Sequence, residues 1–228
     1  MTEKSVQNKQ YDEFLFRVTG YLLEPINKIL ETSNDLMKEE ENPNAQIIQN
    51  ERYLLLNLVN DIRDYAEMQT GRTVLEIKLT DLNELLSGVV EIAETMLKSK
   101  LEVEFQKGGM GDLPKAKVQA VRVQQILLNL VHNAVKFTDQ GHICLSVSKE
   151  NGAIVFEVED SGVGIPKEEQ RHVFAPFETA LQEPDDQRVG LRLGLPISKY
   201  IAESYGGRIW FESEEEKGTK FYFSLPIW

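Results

Sequence analysis

From about Tyr11 to Lys38 apolar residues recur at Phe14, Val18, Leu22, Ile26, Ile29 and Leu30, and from about Ile47 to Met68 at Leu55, Leu58, Val59, Ile62 and Tyr65. Steps of three and four place each set on one face of an amphipathic helix. The polar link Glu41-Asn-Pro-Asn-Ala45 is short enough to send the second helix back antiparallel to the first. A two-helix hairpin cannot bury its apolar seam alone, so the pattern predicts a four-helix bundle built with a second hairpin, or packing on a partner.

After Gly71 the periodicity changes, which predicts a domain boundary near residue 72: a helical hairpin over 1–72 and a second domain over 73–228. A short strand is expected over Val74 to Leu79. A helix is expected from Thr80-Asp81, with Glu84 in capping-box position and Leu82, Leu85, Leu86, Val89, Ala93 and Leu97 on one buried face. Leu101 to Phe105 alternates as a strand. A helix around Asn133 follows, then strands His142 to Ser148 and Ala153 to Glu159, a helix from Leu193 to Tyr205, and closing strands Arg208 to Glu212 and Thr219 to Leu225. The fold class is α+β: a helical hairpin followed by an α/β sandwich with helices layered on one face of a mixed sheet. Gly206 and Gly207 read as a helix stop, and residues 178–190, with Pro184, Asp185 and Asp186, read as a lid.

With 228 residues, 41% of them hydrophobic, the chain is long enough for a substantial core. A net charge of −12 disfavours nucleic acid and anionic membrane, because phosphate would repel the chain on encounter. Cys144 is the single cysteine, so no internal disulfide forms; it is expected to be a buried small hydrophobe, and a reducing cytoplasm is the natural compartment. No stretch approaches the ~18 apolar residues of a membrane span, and no apolar signal-peptide core is present at the N-terminus.

Chemistry concentrates in three segments. In Asn129-Leu-Val-His-Asn133-Ala-Val-Lys136-Phe137-Thr138, Asn133 and Lys136 stand one turn apart on a helix face, an amide able to hold Mg²⁺ and an ammonium able to reach phosphate. In Asp160-Ser-Gly162-Val-Gly164-Ile165, a carboxylate closes a strand and can accept from an exocyclic amino group such as adenine's, while the glycines let backbone approach a flat base. In Gly190-Leu191-Arg192-Leu193-Gly194-Leu195, a glycine-bearing loop opens a helix whose free N–H groups favour phosphate.

In this order and spacing the segments resemble the ATP-binding domain of sensor histidine kinases, in the wider class shared with DNA gyrase and MutL. Val173-Phe-Ala-Pro-Phe177-Glu178 is similar to that family's F box, and Gly218-Thr219-Lys-Phe221 to its closing strand. The resemblance implies a nucleotide site built from Asn129, Asn133, Lys136, Phe137, Asp160, Gly162, Gly164, Ile165, Gly190, Leu191, Arg192, Leu193, Gly194 and Thr219, with ATP and Mg²⁺ as cofactors and Asn133 as the metal ligand. It also implies a homodimer through residues 11–68 and a response regulator or partner histidine kinase as partner.

The resemblance breaks in three places. The stretch matching the family's phosphorylated histidine is Phe14-Leu-Phe-Arg-Val-Thr-Gly20-Tyr21-Leu-Leu-Glu24-Pro25-Ile26, so the phosphoacceptor position is Gly20 and no catalytic residue remains there. Neither Gly20 nor Tyr21 supplies an imidazole nucleophile or an acid to take its proton. His132, His142 and His172 all fall in the second half, the first as a pocket-wall or surface residue and the others packed or solvent-facing at element ends. In the glycine loop, Arg192 replaces the family's central glycine: with negative φ it can grip phosphate, and with positive φ it distorts the loop and weakens ATP. Asn129 stands where gyrase-type hydrolases place a general-base Glu, so steady hydrolysis is not expected.

Overall fold

In a computed structural model the chain divides into two compact units, residues 1–74 and 75–228, each taken by itself below. The structure describes residues 59–71, 76–98, 100–109, 111, 113–150, 152–176 and 192–227. In the first unit residues 59–70 form helix α1, with Val59 and Ala66 buried. The first hairpin helix, the polar link and the Gly20 position lie outside the described residues.

The second unit runs β1 (Lys78–Thr80), α2 (Leu82–Leu97), β2 (Val103–Gly108), β3 (Ala116–Val118), α3 (Ala120–Phe137), β4 (Gly141–Glu150), β5 (Ala153–Asp160), α4 (Lys167–Gln170), α5 (Gly194–Ser204), β6 (Arg208–Glu214) and β7 (Gly218–Pro226). Five strands form one sheet in the order β2-β4-β5-β7-β6. Only β2–β4 is parallel, and it is the pair with the helical crossover α3 between its strands. The remaining neighbours are antiparallel. β1 and β3 make a separate antiparallel ribbon.

Strand alternation sets the core. Along β5, Ile154, Phe156 and Val158 are buried while Glu157 and Glu159 are part-exposed; along β7, Phe221, Phe223 and Leu225 are buried between part-exposed Lys220 and Tyr222. Phe156 and Phe223, paired in register, stack with centroids 4.5 Å apart at 5°. Helices α2 and α3 close over this face with their apolar stripes, Leu82, Leu86 and Val89 from one, Ile126, Leu127 and Leu130 from the other. The opposite face is polar: Lys220 bridges Glu157 and Glu159 at 3.5 and 2.9 Å, and Trp210 stacks on Tyr222 under the Arg208 guanidinium.

The helix ends follow the sequence signals in part. Asp81 caps α2, accepting from the Asn83 and Glu84 backbone N–H groups at 3.0 and 3.4 Å. α3 has no side-chain cap of its own; the Gln119 N–H donates to the buried Tyr205 hydroxyl at 3.1 Å. At its far end Lys100 Nζ donates to the Thr138 carbonyl at 2.7 Å and pairs with Asp139 at 3.2 Å, a cation placed where the last carbonyls need one.

Some expectations need correction. Leu101 is 94% exposed in a turn, and the strand begins two residues later at Val103. The strand expected to end at Leu79 is Lys78–Thr80, and its partner Ala116–Val118 was not expected at all. Cys144 is not buried: it is half-exposed on the polar face of β4, on the opposite parity to buried Ile143, Leu145 and Val147. Burial and the neighbouring Glu159 and Glu157 push its thiol pKa up, so it is a weak nucleophile.

Candidate functional site

The end of α3, the loop after β5 and the β6–β7 hairpin meet around Gly162 and Gly164, and α3 meets the start of α5 at Asn129. Asp160 is the last residue of β5, 8% exposed and directly opposite Thr219 in the β5–β7 register. Its Oδ1 accepts from the Gly162 N–H at 2.9 Å. Burial pushes its pKa up to about 6, against the pull of the Gly162 and Thr219 backbone N–H groups, which favour the charged form. The nearby Glu159 adds to the rise and His142 opposes it, and a carboxylate perturbed in this way at a strand end is a candidate for a functional role.

The two glycines after Asp160 are required by what lies against them. A Cβ on Gly162 would collide with the Phe137 carbonyl and the Asp160 carboxylate; Gly164 has φ of 68° and lies hard against the Glu214 carbonyl. The loop is thus fastened between the end of α3 and the hairpin. Val163 N–H reaches the Phe137 carbonyl at 3.3 Å, and Glu216 N–H reaches the Val163 carbonyl at 2.8 Å. Ile165 and Phe137 are half-buried at this loop, with Lys136 Nζ 5.1 Å from the Phe137 ring centroid.

Asn129, Asn133 and Lys136 recur at helical spacing along α3 and are all half-buried, beside its fully buried stripe. Asn129 is tied to α5: its Nδ2 donates to Ser198 Oγ at 3.0 Å, and its Oδ1 fills the place where a Cβ on Gly194 would stand. That contact explains Gly194 and gives Asn129 a structural duty at the mouth of α5. Leu193, 1% exposed, precedes the helix as its N-cap residue. Arg192 has φ of 51°, so the positive branch of the sequence argument is the one realised. A side chain in that region costs about 1–2 kcal/mol relative to glycine. Leu191, the whole 178–190 stretch with Gly190, and the Phe177-Glu178 end of the F-box segment lie outside the described residues.

His132 is exposed on α3 and His172 is half-buried at an element end; His142, half-buried at the start of β4, adjoins Ile143, the register partner of Asp160, and its carbonyl accepts from the Ser161 N–H at 3.1 Å. Two residues that the sequence reading missed belong to this region. Ser213 Oγ accepts from the Ile165 N–H at 2.8 Å and lies 2.9 Å from Thr219 Oγ1; Gln170 Nε2 reaches the Ile165 carbonyl at 2.9 Å and the Ser213 carbonyl at 3.1 Å. Ser213 sits on a strand with inward parity next to aromatic Phe211, and that polar break in an apolar row was the available signal.

Residues 118–228 match the family described as histidine kinase-, DNA gyrase B-, and HSP90-like ATPase. Histidine protein kinase 1 of Candida albicans is 32% identical over 228 residues, which cover 93% of this chain and 9% of that protein. The catalytic domain of histidine kinase ThkA, in a nucleotide-free form, superposes with a TM-score of 0.57 at 30% identity, covering 66% of this chain and 95% of that one. Full-length ShkA, crystallised in complex with AMPPNP, superposes with a TM-score of 0.75 at 27% identity over 94% of this chain and 45% of its own. The chain belongs to the histidine kinase family, and its second unit has the α+β fold of the family's ATP-binding domain. It spans 9 to 32% of the length of the first curated relatives it matches. Among the described residues no helix is long and apolar enough to cross a membrane.

Proposed function

We propose that the chain is a pseudokinase of two-component signal transduction, a dimeric module in the cytoplasm that engages a response regulator or a partner histidine kinase and does not phosphorylate itself. The observation that carries this reading is Gly20-Tyr21 at the place of the family's histidine and its acid. A phosphoryl group moved from ATP needs a nucleophile that loses a proton as the new bond forms, and this position has neither the nitrogen nor the base. Glu24 departs too, where the family's phosphatase activity uses a Thr or Asn: a second carboxylate beside an anionic aspartyl phosphate adds repulsion.

The ATP-binding half keeps a set of groups that fits the nucleotide. Asp160, buried and held by two backbone N–H groups, would accept from the adenine amino group; Asn133 would hold Mg²⁺, and Lys136 would reach phosphate. Bound Mg²⁺·ATP would supply charge neutralisation near the start of α5, with no chemistry asked of it. Arg192 at positive φ weakens this binding relative to a glycine there. With Asn129 occupied by Ser198 and Gly194, no carboxylate stands in the general-base position, which supports binding without turnover.

A second reading, an active kinase that phosphorylates a histidine on another chain, is favoured by the intact Asn133, Lys136 and Asp160 set. Titration of a fluorescent ATP analogue with Mg²⁺ tests the nucleotide part. Saturable, Mg²⁺-dependent binding supports a nucleotide-gated module, and none reduces the chain to a scaffold. Transfer of γ-label to a histidine-bearing partner chain would favour the second reading. Light scattering at micromolar concentration is expected to show a dimer through residues 11–68, and a monomer contradicts it.

A further inference from the structure

The loop that follows Asp160 is fixed by a closed ring of hydrogen bonds in which two residues outside the family motifs do the holding. Ile165 has both backbone groups taken: its N–H by Ser213 Oγ at 2.8 Å, its carbonyl by Gln170 Nε2 at 2.9 Å. The second N–H of the same Gln170 amide reaches the Ser213 carbonyl at 3.1 Å, which closes the ring through three residues on three separate segments. Ser213 Oγ also lies 3.1 Å from the Gly218 carbonyl and 2.9 Å from Thr219 Oγ1, and Thr219 N–H in turn acts on the Asp160 carboxylate.

Packing alone does not fix this loop. A cavity of about 320 Å³ opens on the hairpin side of Ile165, between α4 and residues 213–215, and Gln170 and Ser213 line it. On this side, where the wall is open, Ile165 is held by directional bonds. A neighbouring bond points the same way: the Glu216 N–H donates to the Val163 carbonyl at 2.8 Å.

From this geometry we infer that Ser213 and Gln170 are positioning residues for base recognition, holding Ile165 and Thr219 in fixed relation to Asp160 and so setting the preference for adenine over guanine. The inference rests on the nucleotide reading of the preceding subsection. Its mechanism is distinct: Asp160 touches the base, whereas Ser213 and Gln170 act through the backbone of Ile165 and the hydroxyl of Thr219.

The test titrates fluorescent ATP and GTP analogues, with Mg²⁺, into the full chain and into Ser213→Ala, Ser213→Thr and Gln170→Met. Loss of one part-buried hydrogen bond in such a ring corresponds to an effect of up to about tenfold. Ser213→Ala and Gln170→Met are expected to weaken ATP about tenfold while GTP changes little, so that the ATP-to-GTP ratio falls. Ser213→Thr, which keeps the hydroxyl, restores the ratio to within about twofold. Amide hydrogen exchange at Ile165 without nucleotide is expected to accelerate at least about tenfold in Ser213→Ala, with unchanged exchange in β5 showing that the fold is intact. If the unmodified chain binds ATP and the variants keep its affinity and its ratio, the inference fails while the nucleotide reading stands. Equal loss of ATP and GTP also overturns it, because a general weakening of the fold does that. If the unmodified chain binds neither nucleotide, the reading and the inference fall together.

Discussion

Replacing Asp160 by Asn separates what this carboxylate does for the fold from what it would do for a ligand. In the folded chain its pKa is about 6 against an ordinary 3.8, chiefly because burial disfavours the charge. That gap corresponds to about 3 kcal/mol by which the ionised group destabilises the folded unit at neutral pH. The sign follows from the direction: with the folded value raised, the penalty is fully present above about pH 6 and fades as pH falls toward 3.8. An Asn at this position keeps an oxygen for the Gly162 N–H, 2.9 Å away, and carries no charge. A neutral oxygen accepts less strongly from the Gly162 and Thr219 N–H groups, so the recovered stability is about 1–3 kcal/mol, with about 2–4 °C in Tm for each kcal/mol in a unit of this size. Thermal unfolding at pH 7.5 and pH 4 is the assay: Asp160→Asn melts several degrees higher at the first and level with the parent at the second. In the same protein ATP affinity drops about ten- to hundredfold, since an amino group then faces the adenine amino group. A variant that melts lower at both pH values refutes the burial argument, and one that binds ATP as the parent does places the base elsewhere.

Arg192→Gly removes a side chain from φ of 51°; it is expected to raise ATP affinity in calorimetry and to change stability by no more than about 1 kcal/mol, because glycine's greater unfolded-state freedom offsets part of the relief. Weaker ATP binding by the variant would instead make Arg192 a phosphate ligand. Phe156→Ala deletes a fully buried ring stacked 4.5 Å from Phe223 and is expected to cost about 3–5 kcal/mol in urea unfolding, with a value under about 1 kcal/mol contradicting the packing described. Gly20→His is not expected to restore autophosphorylation, because Tyr21 still offers no proton acceptor; acid-labile label on that variant alone would show that the acid is dispensable.

The parts of this unit visible in the sequence are those whose physics is local. α3 announces itself by a 3.6-residue stripe, β4 by alternation, β5 by an apolar run that passes into alternation at Phe156, and Asp160 by its place at the end of that strand. Cys144 was misjudged although the same alternation contains the answer: it shares the parity of His142 and Ser146. β1 and β3 escaped or shifted because three-residue strands flanked by Pro114 and charged residues carry no period, and their pairing across 38 positions is set by tertiary structure. Gln170 and Ser213 stayed hidden for a different reason. The polar break at Ser213 marks a position but not its partner, and no local pattern encodes pairings that folding brings from 48 and 43 residues away. Arg192 shows the limit of motif reading: the sequence posed two backbone conformations, and only the φ of 51° chose between them.

The central claim is that this histidine kinase family member does not phosphorylate itself. Incubating the full chain with γ-labelled ATP and Mg²⁺, followed by acid and base treatment of the separated protein, measures it directly. The account predicts no stably incorporated acid-labile label at any nucleotide concentration that saturates binding, because Gly20 stands where the nucleophile would be. Acid-labile label retained on this chain alone contradicts it.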